Sequence, residues 1–165
     1  MNKSLLAFGL AIVLIACGSG NRPKEFSTAV AYDDYITSRI TQMQQSLFAV
    51  QNGKFDSTQI KPAITRYEKQ IDSVNKTIKN MPAFDGNKAY RDAAINLGEF
   101  YKKSVGTYYA DIAEIYRDVK DSTAEPKVTE LITKLQNEET KADARFLTER
   151  EAFGAKHKLN LLNKE

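Results

Sequence analysis

The chain has no tryptophan, one cysteine, one histidine and four prolines, and each shortage excludes something. A single cysteine cannot form an intramolecular disulfide, so a folded body must be held by its core. A single histidine, His157, excludes the paired Glu-x-x-His motifs of a di-iron or di-manganese bundle. It equally excludes a structural zinc site, which takes four Cys or His ligands in most cases. Haem ligation or a Ser-His-Asp arrangement would fall to His157 alone, near the end of the chain, and no nucleophile-elbow glycines flank a serine. The bland role for this residue is at the surface or packed on a helix end. No glycine-rich phosphate loop occurs. Period-two alternation, the mark of a half-buried strand, is missing throughout. With only eight glycines and four prolines, several of them between periodic segments, the composition favours long helices. The sequence therefore predicts neither an enzyme nor a bound cofactor or metal.

Charge excludes another class. The net charge is +3, and Lys61, Lys69, Lys76, Lys79 and Lys88 are interleaved with acids and amides. That pattern is a solvated helix face, not a nucleic-acid footprint.

The most specific feature present is at the start. Lys3 precedes apolar or small residues over 5–16. That run is shorter than the roughly 20 residues that cross a bilayer core and has the size of a secretory signal core. It closes on Leu14-Ile15-Ala16-Cys17, which resembles a bacterial lipobox. The resemblance implies that the Cys17 thiol receives a diacylglycerol, that cleavage follows Ala16, and that the freed amine is acylated, with palmitate-type chains holding the protein to a membrane. One acyl chain binds marginally and two or more hold firmly, at about 0.8 kcal/mol per buried methylene. The organisation expected is a signal peptide over 1–16, a lipidated tether over 17–27 and a helical body over 28–165. Pro23 and the Gly18-Ser19-Gly20-Asn21 stretch keep the tether out of a helix.

Four amphipathic segments follow. The first, 28–52, carries Ala29, Tyr32, Ile36, Ile40, Met43, Leu47 and Val50 at alternating spacings of about 3 and 4. Asn52-Gly53 is expected to stop it, with Gly53 in the left-handed conformation. The second carries Ile60, Ile64, Tyr67, Ile71, Val74, Ile78 and Met81, opened by Asp56-x-x-Gln59, a capping-box pattern. Pro62 either sits in its first turn or bends it. Asp85 and Asn87 are alternative caps for the third segment, 88–120, whose expected seam is Tyr90, Ala94, Leu97, Tyr101, Val105, Tyr108, Ile112, Ile115 and Val119. Gly98 and Gly106 inside it mark either close approach of a neighbouring helix or a local kink or cleft. Ser122-x-x-Glu125 is a second capping-box pattern. The fourth segment, 124–158, carries Val128, Leu131, Leu135, Glu138, Ala142, Phe146, Glu149 and Phe153, and the apolar residues at 159–162 are expected to pack on the bundle end. Short connections between amphipathic segments predict an all-α, antiparallel up-down-up-down four-helix bundle.

Glu138 and Glu149 stand out as carboxylates on an apolar stripe. They either reach the rim and meet a cation or line a cleft where they bind a ligand or ion. Tyr101 and Tyr108 share the seam of the third segment. Tyr109 and Tyr116 share the adjacent stripe, so this segment's apolar face is wider than two neighbours require. Tyr109 and Tyr116 are core-edge residues or part of a recognition surface.

Four stretches are similar to a family of uncharacterised lipoproteins of spirochaetes and Bacteroidetes-type bacteria, described as surface proteins. They are the run at 31–36 holding Tyr32, Asp33, Asp34 and Tyr35; Met81-Pro82-Ala83-Phe84-Asp85-Gly86-Asn87; Leu97-Gly98-Glu99-Phe100-Tyr101-Lys102; and Phe146 with Phe153-Gly154-Ala155-Lys156-His157. The resemblance implies a helical bundle on an envelope protein and brings no catalytic residue. Surface export in Bacteroidetes-type bacteria goes with acidic residues after the lipidated cysteine, and 18–24 has none, which favours the periplasmic face of the outer membrane over the cell surface. The expected function is a lipid-anchored, non-enzymatic binding or interaction module, whose partner is an envelope protein or a small ligand. The alternative is a ligand- or ion-binding bundle with its cleft near Glu138, Glu149 and the tyrosines of the third segment.

Overall fold

Ile36, Ile40, Met43, Leu47 and Val50 are all buried, and Tyr32 extends their stripe toward the N-terminus. In the computed structural model, which describes residues 25–56, 58–118 and 124–161, this stripe lies on helix α1, Ala29–Gln51. Thr28 caps it, its hydroxyl oxygen accepting from the Ala31 N–H at 3.1 Å. Asn52 closes it by returning its backbone N–H to the Phe48 carbonyl at 2.9 Å. Gly53 departs from expectation. The left-handed glycine among the described residues is Gly86, not Gly53. The lack of a side chain at Gly53 instead makes room for the Phe55 ring, which would lie 2.0 Å from a Cβ there.

Helix α2, Ile60–Lys79, opens on the expected capping box. The Asp56 carboxylate accepts from the Thr58 and Gln59 N–H groups at 2.8 and 2.9 Å. Gln59 Oε1 accepts in return from the Asp56 N–H at 3.3 Å. The bonds from Thr58, hydroxyl first, and from Gln59 hold the Asp56 carboxyl below its ordinary range. Pro62 sits in the first turn, where its missing N–H has no intrahelical partner to lose. Ile64, Ile71, Ile78 and Met81 are buried.

The turn after α2 places Asp85 (φ 50°) and Gly86 (φ 72°) in the left-handed region. Of the two expected caps, Asn87 is the one used: its Oδ1 accepts from the Ala89 N–H at 2.9 Å. Helix α3, Ala89–Lys103, then runs into a π-helical segment, Ser104–Tyr109, and helix α4, Ala110–Asp118. Together they form one rod where the sequence predicts an uninterrupted α-helix. Two features coincide with the interruption, one within the rod and one from α2. The Ser104 hydroxyl donates to the Phe100 carbonyl at 2.9 Å, a back-bond that bends helices. Gly106, on the other side, admits the Glu68 carboxylate, which a Cβ would meet at 2.8 Å. Gly98 likewise admits Asn75, whose Cγ and Oδ1 would lie 2.5 Å from a Cβ. Close approach therefore explains both glycines.

Helix α5, Ala124–His157, ends at Lys158, which is left-handed at φ 55°. The Lys158 N–H bonds the Ala155 carbonyl at 3.3 Å and the Leu159 N–H bonds the Gly154 carbonyl at 2.9 Å, the Schellman pattern with lysine where glycine is usual. Leu161 folds back onto Gly154. Val119, Ser122 and Leu162, three sequence-level assignments, lie outside the described residues.

Four helical rods pack against each other. Pairings between α2 and the third rod run in opposite senses: Lys79 with Glu99, Asp72 with Lys102, Lys61 with Glu114. Those between α1 and the third rod rise together: Asp33 with Tyr90, Gln44 with Tyr101, Gln51 with Tyr109. Helix α1 packs on α2 and α3, and α5 packs on α3, whereas α1 and α5 meet mainly through long side chains. That unequal packing leaves a groove.

Candidate binding groove between the first and last helices

One end of the groove is fixed by a buried ion pair. Asp33 is 0% exposed, yet its sequence position follows from the same geometry as its apolar neighbours: it lies four residues after Ala29 and three before Ile36, on the inner face of α1. Arg150 reaches it from α5 with two bonds, Nε to Oδ1 at 2.9 Å and Nη2 to Oδ2 at 3.1 Å. The Tyr90 hydroxyl, from α3, donates to Oδ1 at 2.7 Å. Burial, then the neighbouring Asp33 carboxylate, pushes the Tyr90 hydroxyl far up, so it stays a donor at any physiological pH. Three helices are thus tied at one buried carboxylate. Around it stand Tyr32, Phe84, Tyr90, Phe146 and Phe153, with Tyr90–Phe153 and Tyr32–Phe153 centroids 5.1 and 5.5 Å apart. His157 closes this cluster as an end-packing residue, edge-on to Phe84 at 5.1 Å, with Asp85 Oδ2 3.7 Å from its Nε2.

From this staple the groove runs between α1 and α5 with a volume of about 550 Å³, within the range of ligand-sized clefts. Ile40, Leu97 and Phe146 give it an apolar floor, and Leu147, 50% exposed, an apolar rim. Its polar lining consists of Asp34, Thr37, Thr41, Gln44, Asp143 and Arg150. Thr37 Oγ1 donates to the Asp33 carbonyl at 2.8 Å and Thr41 Oγ1 to the Thr37 carbonyl at 3.0 Å. Gln44 Nε2 donates to the Tyr101 hydroxyl at 3.0 Å. The Tyr101 hydroxyl also faces the Asp143 carboxyl. Burial pushes the Asp143 carboxyl up, and the nearby Tyr101 hydroxyl offsets this in part. Glu139, one turn earlier on α5, is also pushed up, by burial first and by Asp143 second.

The residues singled out from sequence lie elsewhere. Cys17 is outside the described residues. Glu138 is at the surface, its side chain 42% exposed. It accepts from Lys103 at 2.7 and 2.9 Å and from the Tyr108 hydroxyl at 2.9 Å. Those bonds, Lys103 first, hold it below its ordinary range. Glu149 is half-buried. Along one helix these two glutamates are about 16 Å apart, and neither lines the groove. Tyr109 is half-buried and accepts from Gln51 Nε2 at 2.7 Å. Tyr116 is 61% exposed. Sequence reading misses the groove's polar lining, and Arg150 is the clearest case. It lies four after Phe146 and three before Phe153, and so fits the same seam as Glu149. Asp33 was missed for the same reason, being one position beyond the seam residue Tyr32. No family model, curated protein or solved structure matches this chain.

Proposed function

We propose that the chain is a lipid-anchored protein of the bacterial cell envelope, attached through Cys17 to the periplasmic face of the outer membrane. Its body is an antiparallel up-down-up-down four-helix bundle that acts as a non-enzymatic binding module. The anchor rests on Leu14-Ile15-Ala16-Cys17 closing the apolar run at 5–16. The topology rests on the opposed pairings of α2 with the third rod and on the parallel pairings of α1 with it.

The observation that carries the binding role is the groove between α1 and α5, polar on its walls and apolar on its floor, held open by the Asp33–Arg150 staple. Such a mixture is usual for small-ligand clefts, where apolar floor supplies affinity and a few polar groups supply orientation. Labelled palmitate fed to cells making the protein is expected to enter the wild type and not Cys17→Ser. Equal incorporation in both would refute the anchor. Protease added to intact cells is expected to leave the body uncut until the outer membrane is permeabilised.

A further inference from the structure

Helix α5 brings two carboxyl groups to the end of the groove away from the staple. Glu139 and Asp143 lie one turn apart on one face of the helix, and both are half-buried. Like charges at this spacing repel, and burial penalises each ionised form. The groups that face them carry no positive charge. Helix α1 presents the neutral amides Gln44 and Gln51. The third rod presents Tyr101, which faces Asp143 and feels Glu139, and Tyr109, which feels Glu139. The cations nearby are engaged elsewhere. Lys103 and Lys141 act on Glu138, Lys134 pairs with Glu130, and α4 meets α5 at Glu130 and Lys127, two turns or more from Glu139. Arg150 is bound to Asp33, about 10 Å along α5 from Asp143, and Asp34 lines that other end of the groove. Burial first and Asp143 second raise the Glu139 carboxyl above its ordinary range, and burial raises Asp143.

The levels of the two helices match. Asp33 pairs with Arg150, and Gln44 lines the groove with Asp143, so moving up α1 means moving down α5. The next level brings Gln51 and Glu139 together beside Tyr109. Gln44 and Gln51 each give one N–H to a tyrosine hydroxyl, at 3.0 and 2.7 Å. Each keeps a second N–H and Oε1. A carboxylate has use only for the N–H, whereas a carboxylic acid, with one O–H and one carbonyl oxygen, matches both. Apolar rims favour closing the gap. Phe48, one turn after Gln44, is 53% exposed, and Leu147, one turn after Asp143, is 50% exposed. Helices α1 and α5 scarcely pack on each other between these levels.

We propose that Glu139 and Asp143 make the groove a pH-operated gate. As carboxylates they hold it open. As carboxylic acids they pair with the amides of Gln51 and Gln44 and let α5 close onto α1, covering Phe48 and Leu147. The gate is built from the chain's own helices and depends neither on the lipid anchor nor on a ligand.

The test is urea unfolding of the full chain in non-ionic detergent from about pH 7.5 to about pH 5, above the ordinary carboxylate range. NMR relaxation by a soluble paramagnetic agent, read at the Phe48 ring and the Leu147 methyls, reports closure. A carboxyl whose folded value is raised contributes stability when protonated and loses it as pH rises through that value. The wild-type urea midpoint is therefore expected to rise as pH falls, while relaxation at Phe48 and Leu147 falls in the same step. Asp72, Glu130 and Glu138, whose carboxyls are held low, stay ionised throughout this window. Asp143→Asn and Glu139→Gln place neutral amides where the acids stand. Each is expected to raise the midpoint at pH 7.5 and flatten its rise, and together they are expected to keep Phe48 and Leu147 covered at every pH. Glu139→Gln, at a half-exposed position, keeps the test decisive if Asp143→Asn folds poorly. Midpoints and relaxation that stay flat in the wild type would overturn the gate. A rise in stability with no change at Phe48 and Leu147 would overturn closure and leave two crowded acids relieved in place. Changes that persist in the double variant would assign the pH response to other groups and overturn the role of this pair.

Discussion

The Asp33–Arg150–Tyr90 staple makes the sharpest stability prediction. Truncating Asp33 to Ala strands a guanidinium whose side chain is 19% exposed and a buried tyrosine hydroxyl. Breaking one partner of a buried ion pair costs about 3–5 kcal/mol. An orphaned buried hydroxyl alone costs about 1–3 kcal/mol. Arg150 opens on the groove and can take up some water there, so Asp33→Ala is expected near the lower end, about 3 kcal/mol. Arg150→Met is the more severe change, about 4 kcal/mol, because it takes the guanidinium away from a carboxylate that is 0% exposed. Domains have about 5–15 kcal/mol in total, so either loss is a large fraction. The informative variant is the triple Asp33→Leu, Tyr90→Phe, Arg150→Met. It removes every polar group of the staple and puts apolar volume in its place. It is expected within about 2 kcal/mol of wild type and well above either single variant. Urea unfolding followed by far-ultraviolet circular dichroism measures all three. Additive losses, with the triple variant the least stable, would show that Asp33 and Arg150 contribute separately and that the staple argument is wrong.

Further outcomes follow from neighbouring sites. Gly98→Ala drives a Cβ into Asn75, which its bonds to the Ile95 carbonyl and Glu99 hold in place at 3.1 Å each. The overpacking, about 1–3 kcal/mol, outweighs the helix-propensity gain of about 1 kcal/mol. Thermal melts are expected to show destabilisation that largely disappears in an Asn75→Ala background. Asp72 sits between Lys76 and Lys102, whose bonds, Lys76 first, lower its carboxyl from 3.8 to about 2. Its folded value is below its unfolded value, so its contribution is present above pH 3.8 and is lost as pH falls toward about 2. Asp72→Asn is expected to flatten stability across that window, measured by urea midpoints at successive pH values. Tyr116→Ser, at a 61% exposed position, is expected to leave stability within about 0.5 kcal/mol of wild type, whereas Tyr90→Phe is expected to lose about 1.5–3 kcal/mol for its bond to a charged carboxylate.

Periodicity alone located the four rods. It did so because an apolar stripe at helical spacing has to be buried somewhere, whatever covers it, and a helix cannot bury one face without exposing the other. Local chemistry likewise located the Asp56–Gln59 capping box and narrowed the cap of the third rod to Asp85 or Asn87, since each involves groups a few residues apart. Only the tertiary structure could decide what crosses between rods. Asp33 and Arg150 are 117 residues apart, and nothing in either segment reports the other. Seen from its own helix, Arg150 was one of two polar residues beside a seam, and Glu149 was the equally plausible occupant. Gly98 and Gly106 announced close approach, but that Asn75 and Glu68 fill them depends on the register of α2 against the third rod. The π-helical turn arises from a serine back-bond and a carboxylate from another helix acting together, so the sequence of the third segment by itself reads as plain α-helix. The groove is the most remote consequence. It exists because α1 and α5 both pack on α3 and scarcely on each other, a property of three helices at once that no single stripe encodes.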